Sequence, residues 1–214
     1  MLSPVKGFWQ KALPIVFIVL AAVTRWPGLF PPNFSAFYAL AFCAGAFFPA
    51  KVAWWVPLGT LLATDVALNC YYQFVVGVNA FQWFQIINYL GFAALIALGR
   101  SFGSRAAWVS LLTGGLLGAC LFYLFTNTAA WLFNPFNNPE YTRDLAGWFM
   151  ALTKGTAGHP PTWEFFRNTL LSGGLFTGLF AGVLKWASAP EPEPAAEAEP
   201  EKAEPEAEPE SAEA

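Results

Sequence analysis

A chain of 214 residues that is 56% hydrophobic and 18% aromatic but only 12% charged, with a mean hydropathy of +0.45, departs from the balance of a soluble globular domain. Its net charge of −3 joins two unlike parts: residues 188–214 hold ten of the fourteen acids against one base, a net of −9, which leaves +6 on residues 1–187. No basic patch of the kind that tracks a phosphate backbone occurs, so nucleic acid is excluded as a partner, and Cys43, Cys70 and Cys120 lack the spacing of a disulfide framework or a zinc site.

A hydrocarbon core about 30 Å thick takes roughly 17 to 25 mostly apolar residues at about 1.5 Å rise each, and six segments meet that length. The first, Phe8 to Val23, is the weakest, since its unbroken apolar run is only Ala12 to Val23 and contains Pro14. Lys6 and Lys11 ahead of it fit a secretory signal or an anchored first span; Trp9 and Lys11, whose apolar stems lengthen the segment at the interface, favour the span. A connection from Trp26 to Asn33 leads to the second span, Phe34 to Ala50, and Lys51 separates it from the third, Val52 to Asn69. The uncharged stretch Cys70 to Ala80 precedes the fourth, Phe81 to Leu98, and Gly99 to Arg105 precedes the fifth, Ala106 to Thr126.

Asn127 to Asn168 then forms a long connection to the sixth span, Thr169 to Trp186. Within it Asn138-Pro139-Glu140 reads as a turn and helix start, and Leu145 to Met150 as a short helix lying along the interface. The aromatic content of this connection predicts order. From Ser188 the chain is Glu, Ala, Pro, Ser and one Lys only, with Ala-Glu-Pro-Glu recurring at Ala198, Ala203 and Ala207, a composition that cannot bury enough apolar surface to offset chain entropy. The predicted fold class is all-α integral membrane: six transmembrane helices in one bundle over residues 1–187, and a disordered acidic tail over 188–214.

Lys6, Lys11, Lys51, Arg100, Arg105 and Lys185 fall on the side of the termini, whereas the opposite short connections carry Arg25 alone. Short-loop bases sit in the cytoplasm, so both termini are expected there. Arg143, Lys154 and Arg167, in the long connection, weaken the bias without reversing it.

With that orientation the polar residues collect at the outer ends of the spans: Asn33 and Ser35 on the second, Asp65 and Asn69 on the third, Asn88 on the fourth, Asn127 on the fifth, Arg167 and Asn168 on the sixth. An acid within a span costs a few kcal/mol unless paired or hydrated, so Asp65 is expected to face the bundle interior, either as a ligand contact or as an ion-pair partner of Arg25 or Arg167. Asn88 and Asn127 fit interhelical hydrogen bonds singly, but a convergent layer beneath elaborate loops fits a binding site. Trp131, just beyond Asn127, is set apart from the interfacial tryptophans as a ring-stacking contact. Gly174, Gly178 and Gly182, with Gly114 and Gly118, read as helix-packing seams, and His159 as a surface-loop residue.

The elements Arg25, Pro31-Pro32-Asn33-Phe34-Ser35-Ala36-Phe37-Tyr38-Ala39-Leu40-Ala41, Pro57-Leu58, Thr64-Asp65, Leu98-Gly99-Arg100, Thr126-Asn127 with Trp131, and Phe166-Arg167-Asn168-Thr169-Leu170-Leu171 resemble an uncharacterised family of bacterial multi-pass membrane proteins. That family is itself similar to the substrate-binding S components of energy-coupling-factor transporters. The resemblance covers about residues 12 to 186. It implies six helices, cytoplasmic termini, an outward-facing pocket and residence in the bacterial inner (cytoplasmic) membrane. The chain departs from the pattern at Gly173 and Gly174, where family members carry an acid, and in the stretch Lys154 to Glu164, which looks inserted. Ala12, Ala21 and Ala22 do not form the Ala-x-x-x-Ala face through which S components dock their coupling subunit.

The expected function is therefore a substrate-binding membrane subunit for uptake of a small, vitamin-like nutrient, with Asn33, Asp65, Asn88, Asn127, Trp131, Arg167 and Asn168 lining the pocket. Its expected partners are the lipid bilayer, the small-molecule substrate and separate energising transporter subunits, since the chain has no phosphate-binding GxxxxGK[ST] motif. No cofactor is expected. The alternative is a non-transporting structural or assembly protein with a packed polar layer. An enzyme is not expected, because no HExxH, GxSxG or paired-acid constellation occurs.

Overall fold

Ten consecutive residues, Phe37 to Ala46, are buried on every side, which a helix can achieve only at the centre of a bundle. They belong to α2 (Phe37–Phe47) in the computed structural model, which describes residues 4–189. Around α2 stand α1 (Pro4–Thr24), α3 (Ala50–Tyr71), α4 (Ile86–Phe102), α5 (Trp108–Phe133) and α7 (Thr162–Ser188), all five in contact with it. The short α6 (Leu145–Leu152) lies in the connection between α5 and α7. The described residues are all-α, with no strand. The tail assigned to residues 188–214 falls, from 190 on, outside them.

The elements differ from the sequence expectation at their ends. The second span was expected over 17 residues, but α2 has 11 and rises only about 16 Å. Phe48 precedes Pro49 and is forced into the extended region, with ψ 152°, which stops the helix early. At the other end Asn33 takes a left-handed φ of 62°, which keeps Phe34 and Ser35 out of the helix. The long connection is also shorter than expected. No breaker follows Thr126 until Asn134, the left-handed C-cap of α5, and α7 starts directly after Pro160-Pro161, so only residues 134–161 connect them. α6 begins at Leu145, where the short helix was expected, with the Asp144 carboxylate accepting the Gly147 N–H at 2.8 Å, whereas Asn138-Pro139-Glu140 makes a turn and starts no helix. Cys70 to Ala80 is not simply a loop: α3 runs to Tyr71 and continues as a π turn, Tyr72–Val76, closed by left-handed Gly77.

By length and composition, two helices are long and apolar enough to cross a membrane: α5 and α7. The pattern of exposure on α7 is inverted relative to a soluble helix. Asn168, Thr169, Ser172 and Thr177 are buried, while Leu171, Leu175 and Leu179, at four-residue spacing, are each more than half exposed. Ile15 and Val19 of α1, Leu62 and Val66 of α3, and Leu117 and Leu121 of α5 are exposed in the same way.

The packing seams place backbone against backbone. A Cβ on Gly99 would lie 2.0 Å from the Phe42 carbonyl oxygen, and one on Gly45 would lie 2.1 Å from that of Ile96, so α2 and α4 touch without side chains between them. The α7 glycine stripe faces α5: Gly174 meets Leu116, Gly178 meets Trp108 and Leu112, and the Trp108 indole donates to the Gly178 carbonyl at 2.9 Å.

Candidate functional site

At the end of the bundle where α1, α3 and α5 finish and α2, α4 and α7 begin, the helices leave a cavity of about 430 Å³. Its base is aromatic. Tyr38, Phe92 and Phe122 pack in a cluster with ring centroids 4.7 to 5.7 Å apart, and Phe37 meets Phe92 edge-on at 4.9 Å. Its rim is polar and is formed by the α1–α2 connection together with Asn88, Thr126, Asn127 and Tyr72.

The α1–α2 connection is held at three points. The Thr24 hydroxyl accepts the Ala36 N–H at 2.9 Å, and the Ser35 hydroxyl accepts the Phe37 N–H at 3.1 Å, so two of the unpaired donors at the start of α2 are met from outside the helix. From α7, the buried Asn168 amide donates to the Pro32 carbonyl at 2.9 Å. Asn69 and Gln85 exchange two amide hydrogen bonds of 2.9 Å and fix the end of α3 to the start of α4.

Arg25 is the one charged side chain among the described residues that line the cavity. Its guanidinium donates to the Asp65 carboxylate on α3 and lies over the Phe37 ring, 5.3 Å from the centroid. The pair keeps only 19% and 11% of its side-chain surface exposed, so the attraction is weakly screened by water. Asp65 itself stands behind Arg25 and does not reach the cavity surface.

Of the residues expected from the sequence, the structure therefore brings Asn33, Asn88 and Asn127 to the lining of one cavity. Asp65 acts on that cavity through Arg25, and Asn168 acts on it by tethering the loop at Pro32. Arg167 and Trp131 are elsewhere. The Arg167 guanidinium lies 5.3 Å over the Trp163 ring, and the Trp131 indole donates to the Thr142 carbonyl at 2.7 Å to hold the α5–α7 connection. Sequence reasoning had Arg25 only as a partner for Asp65. A base directly after a span and before a Pro-rich connection was the available signal for more. Tyr72 had no such signal, because its placement depends on the π turn.

Above α5 a second cavity of about 510 Å³ shares Asn127 with the first and is lined by Asn138, Tyr141, His159 and Phe165. The α5–α7 connection around it is closely bonded. Glu140 accepts the Ala157 N–H at 2.9 Å, Thr142 donates to Asp144 at 2.7 Å, and the Trp148 indole donates to Thr128 at 3.0 Å. The Gly147 N–H and the Thr142 hydroxyl hold the Asp144 carboxyl below its usual range, and the Ala157 N–H does the same for Glu140. Burial, aided by the Glu140 charge, pushes the Tyr141 hydroxyl up.

The opposite end is basic: Lys51 opens α3, Arg100 lies in the last turn of α4, and the Lys185 ammonium donates to the Ser104 carbonyl at 3.3 Å. Among the described residues no group of three or more His, Cys, Asp or Glu side chains is placed to hold a metal ion. Comparison with curated proteins and with solved structures gives no match. A family model does match, over residues 7–195, which takes in all of the bundle except the first residues of α1, and on that match the chain belongs to a family of unknown function, DUF6580.

Proposed function

We propose that the chain is a substrate-binding membrane subunit for the uptake of a small organic nutrient, taken from outside the cell into the cavity between α2, α4 and α5. One observation carries the reading: polar groups from the α1–α2 connection, from the π turn after α3, and from α4 and α5 converge on a cavity with an aromatic base, the composition of a small-molecule site rather than of a packing seam. The resemblance to S components of energy-coupling-factor transporters agrees with it. A separate energising complex supplies the work, since the chain has no nucleotide-binding loop.

The proposal places α1 to α5 and α7 across the bacterial inner membrane as six spans, with both termini in the cytoplasm. The exposed leucine rows of α7 and α5 support the lipid contact, and the bases at the end remote from the cavity support the orientation. α2 is short for a span, but Phe37 to Ala46 are shielded on every side by the surrounding helices, so it is those helices and not α2 that have to match the hydrocarbon thickness.

A second reading, a non-transporting structural or assembly protein, draws on the Arg25–Asp65 pair, which satisfies the intramembrane acid without any ligand. Mass spectrometry of molecules extracted from protein purified in mild detergent separates the two. A stoichiometric small molecule is the expected result; protein that is empty when prepared from cells grown on rich medium favours the structural reading.

A further inference from the structure

We propose that Arg25, and not Asp65, is the charge that touches the ligand, that Asp65 is its positioning residue, and that the cargo carries no net charge. The inference rests on the uptake reading above and specifies the chemistry of that same cavity.

Three observations lead to it. Arg25 lines the cavity, whereas Asp65 does not. Of the five N–H groups of the guanidinium, one is met by Asp65 and the Nε–H is enclosed by protein, which leaves three N–H groups on the two Nη atoms without a protein acceptor. The planar group is also fixed on two sides, by the carboxylate at one edge and by the Phe37 ring against its face. A guanidinium held this way, with donors left over, presents a preformed edge to an acceptor in the cavity. A carbonyl or ring nitrogen fits that edge.

The net charge of the cargo follows from the pair. Asp65 already balances Arg25, and no other charged side chain lines the cavity. A bound anion would leave one negative charge with no side-chain cation to balance it, and a bound cation would face the guanidinium. An uncharged molecule with a ring face for Phe92 and Phe122 and an acceptor edge for Arg25 avoids both costs, and the amides of Asn33, Asn88 and Asn127 offer it donors and acceptors alike.

The test is extraction and mass spectrometry of the full chain purified in mild detergent, comparing wild type with Arg25→Lys, Asp65→Asn, Asp65→Glu and the double variant Arg25→Gln/Asp65→Asn, each with its melting temperature. Arg25→Lys keeps the charge and can keep the ion pair but loses the planar fork, so it is expected to melt within a few degrees of wild type while ligand occupancy falls at least tenfold. The double variant keeps charge balance and is expected to be folded and empty. Asp65→Asn is expected to lose occupancy and Asp65→Glu to recover part of it, as a positioning role requires. A ligand that is anionic or cationic at pH 7, or one retained at wild-type occupancy by Arg25→Lys or by the double variant, would overturn the inference and leave the uptake reading standing. Wild-type protein with no ligand would overturn both.

Discussion

Gly99→Ala is the sharpest test of the packing described above. The added Cβ would lie 2.0 Å from the Phe42 carbonyl oxygen and 3.1 Å from the Ala46 nitrogen. Carbon and oxygen in a close backbone contact ordinarily stay about 3.3 Å apart, so α4 must withdraw from α2 by about 1.3 Å. Nothing flexible can yield, because both obstructing atoms belong to the backbone of a helix enclosed by five others. Overpacking costs about 1 to 3 kcal/mol when side chains can shift, and here the upper end applies. The better helix propensity of Ala offsets less than about 1 kcal/mol of it.

For a chain of this size a net loss of about 2 kcal/mol corresponds to a melting temperature lower by about 4 to 8 °C. The natural control is Gly59→Ala in α3, where a Cβ meets nothing within 4 Å and the propensity gain is the whole effect. Cys43, buried on α2, provides the assay once the half-buried Cys70 and Cys120 are replaced by alanine: its thiol becomes reactive only when the helix is released, so a fluorogenic maleimide follows unfolding in detergent. Gly99→Ala melting within a degree of Gly59→Ala would refute the backbone contact between α2 and α4.

Three further outcomes are expected. Asp65→Asn strands the Arg25 guanidinium and lowers stability by about 3 kcal/mol, the low end for a buried pair because both side chains keep some exposure; adding Arg25→Gln restores part of that, as a double-mutant cycle of melting or chemical unfolding will measure. Because the folded pKa of Asp144 is depressed, its cap contributes fully above the ordinary aspartate value of about 3.9 and is lost as pH falls through the lower folded value. Hydrogen exchange across Leu145 to Leu152 should therefore rise below that pH in wild type, and at neutral pH in Asp144→Ala. In a chain whose native cysteines are replaced by alanine, an impermeant thiol reagent added to intact cells should label cysteine at Val78 or Lys154 and miss it at Ser104; labelling at Ser104 would reverse the proposed orientation.

The helices were legible in the sequence because apolar length acts locally and Gly103 lies in the break between α4 and α5, but the prolines carried more than was read from them: Pro49 stops α2 ahead of the expected Ala50, and Pro160-Pro161 start α7 ahead of the expected Thr169. What was misjudged depended on single residues acting against composition. Asn134 ends α5 seven residues after Asn127, yet Asn-Thr-Ala-Ala-Trp gives no sign of whether the helix has stopped. The short helix at Leu145 was placed correctly, but the helix start read at Asn138-Pro139-Glu140 is a turn only, and Asp144 supplies the cap. At the site, Asn33, Asn88 and Asn127 could be placed by depth along the chain, a one-dimensional quantity. Arg167 and Trp131 have similar depth but do not line the cavity, and the direction a side chain takes around its helix axis depends on packing that depth does not encode.

The cavity itself follows from how α2 and α4 are spaced along their lengths. At Gly45 and Gly99 the two backbones touch, since neither helix has a side chain there to hold the other off. Two turns nearer the rim, the same pair is held a ring's width apart by Phe37, Tyr38 and Phe92, with Phe122 of α5 wedged beside them. Two helices pinched at one end and propped at the other diverge, and the space beyond the prop can be filled only by larger side chains, by a neighbouring element or by a guest. The residues at that level on α4 and α5 are Asn88 and Asn127, which are too short to close it, and the α1–α2 connection passes over the opening instead of into it. Replacing Phe92 by a smaller residue should thus deepen the cavity toward the seam. Replacing Asn88 by a large apolar one should fill it, leave the Gly45–Gly99 contact intact, and lower ligand occupancy without lowering the melting temperature.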